Sequence, residues 1–180
     1  MQQNAPFELL SQLRSEAIAL AAQGLTYSTQ SAGTKNIAYV VNGVNFYCEA
    51  TDVKEVSVCE NLMIVPQTKA WMRGLVNSKG VLYSVTDLSL FAGYGRAIQA
   101  KKGHLLLLAE EAVQSSILVN RVIGFRYFNE SDEMSSLDDK QEALDGLSAF
   151  VDKGYRADGQ DWYRLNVSKL LASEQFREVQ

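Results

Sequence analysis

Apolar residues near the start of the chain recur at spacings of three and four: Phe7, Leu10, Leu13, Ala17, Leu20 and Ala21. This spacing predicts a helix over residues 6–22, with Pro6 in its first turn and Gly24 just past its end. The polar run "TYSTQSAGTKN" follows and reads as a linker. The period then changes. "IAYVVNGVNFYCEA" sets two apolar runs on either side of Asn42-Gly43. That pair favours a two-residue hairpin turn, because both positions tolerate positive φ. The predicted strands run from about Ile37 to Val41 and from Val44 to Cys48. "VKEVSV" alternates and predicts a third strand. "MRGLVN" and "VLYSVT" form a further hairpin around Ser78 to Gly80.

Asp87 precedes "LSLF" and is placed to cap a short helical turn. Gly93 and Gly95 then interrupt the pattern. "HLLLLAEE" predicts a strand buried on both faces, and "SILVNRVIGFRYF" predicts one more strand. Residues 129–145 carry seven carboxylates against Lys140 and read as an exposed acidic loop with some helix, or as an electrostatic docking loop. "FVDKGYR" and "DWYRLNV" predict a closing hairpin around an Ala-Asp-Gly-Gln turn, and Ser168 starts a last short helix. The sum is a mainly β chain of about eight to ten strands with a helix at each end, a barrel or a sandwich. Helical crossovers are too few for a doubly wound parallel sheet. No internal sequence repeat is visible.

The single histidine, His104, has no nucleophile or acid signature around it and reads as structural or exposed. "GYGRAIQAKKG" lacks the third glycine of a dinucleotide loop. Adjacent carboxylates such as Asp138-Asp139 point in different directions and make poor acid–base couples. Cys48 and Cys59 fit no metal-ligand spacing and read as reduced, partly buried thiols. No cofactor or metal is expected. The net charge of −4 gives no general grip on nucleic acid. Aromatic neighbours such as Phe46-Tyr47 and Trp162-Tyr163 must face opposite sides of their strands, as core and rim. No signal peptide is apparent, and the apolar run Leu105–Ala109 is far short of the ~20 residues of a membrane span. The expected location is cytoplasmic, with any membrane association through a partner.

Several segments in order carry a resemblance. "TKAWMRGLVNSKGVLYSVTDLSLF" has an aromatic, a basic residue before Gly, an Asn, a basic-Gly turn, an apolar strand and Asp-Leu. "IAYVVNGVNFYCEATDVKEV", "VNRVIGF" and "YRLNVSKLLASEQF" keep the corresponding places before and after it. The chain resembles the CheW-like coupling proteins of bacterial chemosensory arrays. "APFELLSQL" is similar to the N-terminal helix of members that serve type IV pilus (twitching motility) systems. The resemblance implies two small five-stranded β-barrels sharing a core, over residues 35–180, after an N-terminal helix and linker at 1–34. It implies no catalysis. The chain would join the cytoplasmic tip of a methyl-accepting chemoreceptor to the CheW-like regulatory domain of a CheA-type histidine kinase, and would reach the inner membrane through the receptor array.

Carried over by position, the partner-binding residues are Val53, Glu55 and Val56 on the third strand, with Lys79 and Gly80 in the turn and Arg73 as a further candidate. The family usually has Arg at the turn. Lys79 makes a point contact where Arg would fork onto two acceptors. The family's Val-Asp-x-Val also departs here, with Asn120 in place of Asp. Two other readings remain from the residues. One is a small β-barrel that binds single-stranded nucleic acid or a small ligand. The other is an enzyme working through His104 or a carboxylate.

Overall fold

The computed structural model describes residues 34–110, 113–137 and 144–179. The helix expected over 6–22 lies outside them, as does most of the linker, whose last residue, Asn36, opens the first strand. The strands are β1 (Asn36–Val41), β2 (Val44–Glu49), β3 (Val53–Val58), β4 (Met72–Ser78), β5 (Val81–Asp87), β6 (His104–Leu108), β7 (Ser115–Val119), β8 (Arg121–Arg126), β9 (Val151–Ala157) and β10 (Gln160–Leu165). The described residues also form three short α-helices, α1 (Leu88–Phe91), α2 (Val167–Ala172) and α3 (Glu174–Arg177). All three predicted hairpins form, each on a turn with two left-handed residues: Asn42-Gly43, Lys79-Gly80 and Asp158-Gly159. Such turns match the right-handed twist of the strands they join.

The strands form two five-stranded sheets, ordered β8-β1-β2-β10-β9 and β3-β6-β7-β5-β4. The two orders are one arrangement used twice: replacing strands 3, 4, 5, 6, 7 by 8, 9, 10, 1, 2 turns the second into the first. Each sheet has its parallel pair at the same place, β2 with β10 and β5 with β7. Each is closed in the same way. The segment after β3 pairs with β4 through Met63 and Leu75, whose amides and carbonyls exchange hydrogen bonds of 2.8 Å. The segment after β8 pairs with β9, where the Met134 amide donates to the Gly154 carbonyl at 2.8 Å. Closure removes the edges that would otherwise template aggregation.

Alternation along the strands explains why three apolar clusters form. Leu105 and Leu107 point into the second barrel with Val76, Tyr83, Val85 and Leu118. Leu106 and Leu108, the other face of the same strand, enter a core shared by both sheets with Ile37, Tyr39, Phe46, Ile117 and Tyr163. The first barrel is filled by Ala38, Tyr47, Phe128 and Trp162. The aromatic neighbours divide as strand geometry requires, Phe46 and Tyr163 to the shared core, Tyr47 and Trp162 to the barrel. Fully burying each such side chain is worth roughly 1.5–3 kcal/mol.

Two sequence expectations need correction. "SILVNRVIGFRYF" is two strands in different sheets, not one. The chain crosses between barrels at Asn120, whose amide donates to the Val40 carbonyl at 3.0 Å and whose Oδ1 accepts from the Asn42 amide at 2.7 Å. A β-rich composition cannot reveal that crossing, because both halves pair as strands. The last helix starts at Val167, capped by Asn166, and Ser173 breaks it into two short helices. Of the acidic segment, 138–143 lie outside the described residues. Its described part forms a 3-10 turn at Glu130–Asp132, while Leu144 at its far end is buried in the shared core.

Candidate functional site

The β4–β5 turn places its basic residue by backbone geometry. Lys79 (φ 53°) and Gly80 (φ 85°) occupy the two central positions. The Gly80 amide donates to Asn77 Oδ1 at 2.9 Å, which fixes the turn. Gly80 is the residue type for which this φ carries no Cβ penalty. The Lys79 side chain leaves the tip 79% exposed, and its Nζ reaches Glu55 Oε2 at 2.6 Å. Glu55 belongs to β3, at the far end of the sheet order. The ion pair thus spans the gap between the strands that the hydrogen-bond ladder leaves apart.

A register shift on β3 decides which way its residues face. Val53 lies opposite Leu108 and packs against the shared core. Glu55 lies opposite Leu107, which faces the barrel interior. The extra residue between them re-aims the strand. Val56 and Val58 point outward and are 40% and 54% exposed. Ile64, on the segment that closes the barrel, is 82% exposed, and Leu82 at the start of β5 is 48% exposed. Sequence reasoning did not single out Val58, Ile64 or Leu82. The alternation of "VKEVSV" carried the signal for Val58, and nothing local marked Ile64.

Arg73 is placed differently from the other five candidates. Its Nη1 lies 2.8 Å from Asp87 Oδ2 and donates to the Ile98 carbonyl at 3.2 Å. Asp87 has no solvent exposure. Its carboxylate also accepts from the amides of Ser89, Leu90 and Ile98 at 3.1, 3.2 and 2.8 Å. A buried charge is tolerated when it is paired and hydrogen-bonded to this extent. The structure therefore brings Glu55, Lys79 and Gly80 together, sets Val53 and Val56 on the same strand as Glu55, and commits Arg73 to an internal anchor behind the hairpin.

His104 is half-buried at the start of β6, its Nδ1 without a hydrogen-bond partner among the described residues. Cys48 and Cys59 are free, buried thiols in different clusters. Burial pushes both thiols up from their ordinary value, against the reactive direction. Among the described residues no group of three or more His, Cys, Asp or Glu could hold a metal ion. Among them, too, no helix is long and apolar enough to cross a membrane.

A family model of the CheW-like domain matches residues 37–175. The chain belongs to the CheW-like family. Protein PilI of Pseudomonas aeruginosa is 27% identical to this CheW-like chain over 124 residues, 68% of the chain and 69% of PilI. The crystal structure of the scaffolding protein TtCheW from Thermoanaerobacter tengcongensis superposes with a TM-score of 0.64 at 18% identity. That match covers 76% of this chain and 86% of TtCheW. The CheW-like assignment agrees with the two closed five-stranded sheets and their shared core.

Proposed function

We infer that this CheW-like protein is a non-catalytic adaptor that couples a methyl-accepting chemoreceptor to a CheA-type histidine kinase, in a pathway controlling type IV pili and twitching motility. The observation that carries the reading is the Lys79–Glu55 pair, a charged contact on a preset turn beside the exposed valines of β3. Apolar side chains next to a pair of opposite charges suit a partner that presents an amphipathic helix. The receptor's cytoplasmic hairpin is helical and fits that description. Val53, Glu55, Val56, Lys79 and Gly80 form the contact surface in this reading. Arg73 supports the hairpin through Asp87 and is the further candidate at its edge. The likeness to PilI supports the assignment to a pilus system. The protein works in the cytoplasm and is held at the inner membrane through the receptor array.

Both barrel interiors are filled by side chains, Trp162 and Tyr47 in one, Leu105 and Leu107 in the other. That argues against the reading as a barrel that encloses a small ligand. The test is a pull-down of the full chain with the receptor's cytoplasmic hairpin and, separately, with the kinase's regulatory domain. Binding of both at micromolar concentration is expected. Failure of both would end the adaptor reading.

A further inference from the structure

A cleft of about 460 Å³ opens between the β1–β2 turn and the loop that joins α1 to β6. It contains none of the residues assigned above to the receptor surface. One wall is the turn itself, Asn42 and Gly43, with Asn120 at the crossover between barrels. The other wall is the loop from Arg96 to Gly103, which contributes Arg96, Gln99 and Lys102 to the lining. No carboxylate and no aromatic side chain lines it among the described residues.

Both walls are held in place. Ser89 Oγ donates to the Arg96 carbonyl at 2.7 Å, and the Ile98 amide is tied to Asp87 at 2.8 Å. The Gly103 amide closes the loop onto the Gln99 carbonyl at 2.9 Å. Opposite, Asn42 is fixed to Asn120 at 2.7 Å. Gly103 permits no side chain, since a Cβ there would lie 2.8 Å from the Val119 carbonyl oxygen. A site built this way binds without first ordering its backbone.

The charges point one way. Lys69, Lys79, Arg126, Lys153, Arg156 and Arg164 each face a carboxylate. Arg96 and Lys102 are exposed and form no ion pair among the described residues; the same holds for Arg121, next to Asn120, and for Lys35, Lys54, Lys101, Lys169 and Arg177 elsewhere, but of these cations only Arg96 and Lys102 line the cleft. In a chain of net charge −4, a preformed cleft rimmed by unpaired cations is a local reversal of sign. Without an aromatic platform it offers nothing for a nucleobase to stack on. Its amide side chains suit carboxylates and peptide groups. We propose that this cleft is a second docking site, which takes an acidic segment of a protein partner through Arg96 and Lys102.

The test uses the full chain, ¹⁵N-labelled, titrated with an octapeptide of alternating Glu and Ser. The amides of Gly43, Gly103 and Asn120 are expected to shift, with affinity falling about tenfold or more between low and high salt as the cationic contacts are screened. Arg96→Glu with Lys102→Glu is expected to abolish the shifts. Lys101→Glu alters the neighbouring residue, which lines a different hollow beside Cys59, and is expected to weaken binding less than about threefold. Equal losses in the two variants, shifts spread over the whole surface, or the same response to ATP or inorganic phosphate would each overturn the proposal. The spectrum of each variant reports folding directly. Lys79→Glu should bind the peptide like the native chain, so failure of the receptor reading leaves this result standing.

Discussion

Reversing the charge at the β4–β5 turn separates a contact residue from a structural one. Lys79 is 79% exposed and Glu55 29%, so their 2.6 Å pair is largely solvated. Such pairs contribute roughly 0.2–1 kcal/mol. Lys79→Glu removes that term and adds a repulsion of similar size. Because Lys and Glu pay the same penalty at positive φ, the turn itself costs nothing extra. The total is about 0.4–2 kcal/mol. A chain of this size loses about 2–4 °C in Tm for each kcal/mol. A thermal melt should therefore fall by less than about 8 °C, whereas affinity for the receptor hairpin, read by calorimetry, should fall at least tenfold, about 1.4 kcal/mol. The double exchange Lys79→Glu with Glu55→Lys restores an ion pair of inverted polarity. The melt should recover, and the affinity should not, because the partner meets the opposite field. If the exchange restores affinity as well, the pair acts through the fold and not by contact. If Lys79→Glu alone unfolds the chain at 25 °C, the solvated-pair argument is wrong.

The other predictions concern stability. Asp87→Ala leaves Arg73 without its anion and three amides without an acceptor, and should cost about 3–5 kcal/mol in a urea titration. Gly74→Ala should cost about 2–4 kcal/mol by the same assay, since a Cβ at φ +136° would sit 2.1 Å from the Met63 carbonyl oxygen in the pairing that closes the barrel. Burial raises the Tyr39 and Tyr47 hydroxyls and the Cys48 thiol above their ordinary values, while the unfolded chain ionises them from about pH 9. The unfolded state then holds fewer protons, so stability is full below that pH and falls as pH rises, by up to about 1.4 kcal/mol per pH unit for each group. Melts at pH 8, 10 and 11 measure the slope. The Tyr39 hydroxyl is buried without a hydrogen-bond partner among the described residues, so Tyr39→Phe should flatten the slope and leave stability at pH 7 within about 1 kcal/mol.

Local signals in the sequence were enough wherever one turn or cap decides the structure. Asn42-Gly43, Lys79-Gly80 and the Asp158-Gly159 turn announce their hairpins, and Asp87 announces α1 and caps it as expected. The sequence was silent where the deciding contact is distant. Asn120 separates two strands of different barrels, and its partners Val40 and Asn42 lie about 80 residues away. The twofold use of one strand arrangement is equally hidden, because it relates β3–β7 to a set that begins at β8 and ends with β1 and β2. No repeat of the sequence corresponds to it. The site shows the same division. Lys79 was legible at its turn, but its pairing with Glu55, 24 positions away, depends on how the barrel closes. Arg73 looks like another basic candidate until Asp87 and the Ile98 carbonyl are seen around it.

The same alternation that builds the cores limits where this protein can meet a partner. On β1, β2, β6, β7 and β10 one face fills a barrel and the other fills the shared core. The buried positions of those strands leave little for recognition, and substitutions there act through stability. β3 and β8 each stand at one end of a sheet, with β4 and β9 at the other ends. Most of the exposed large apolar residues lie there and in the segments beside them, Val56, Val58, Met63 and Ile64 by β3 and Ile123, Phe125 and Tyr127 by β8, while Val81 and Leu82 open β5 and Val113 precedes β7. The strand β3 adds the charged contact with the turn, and Phe125 of β8 carries the Lys35 ammonium 3.6 Å above its ring. β3 and β8 occupy the same place in the repeated arrangement. If the chain couples two partners as proposed above, these two equivalent strands on two barrels would give each partner a separate place to bind.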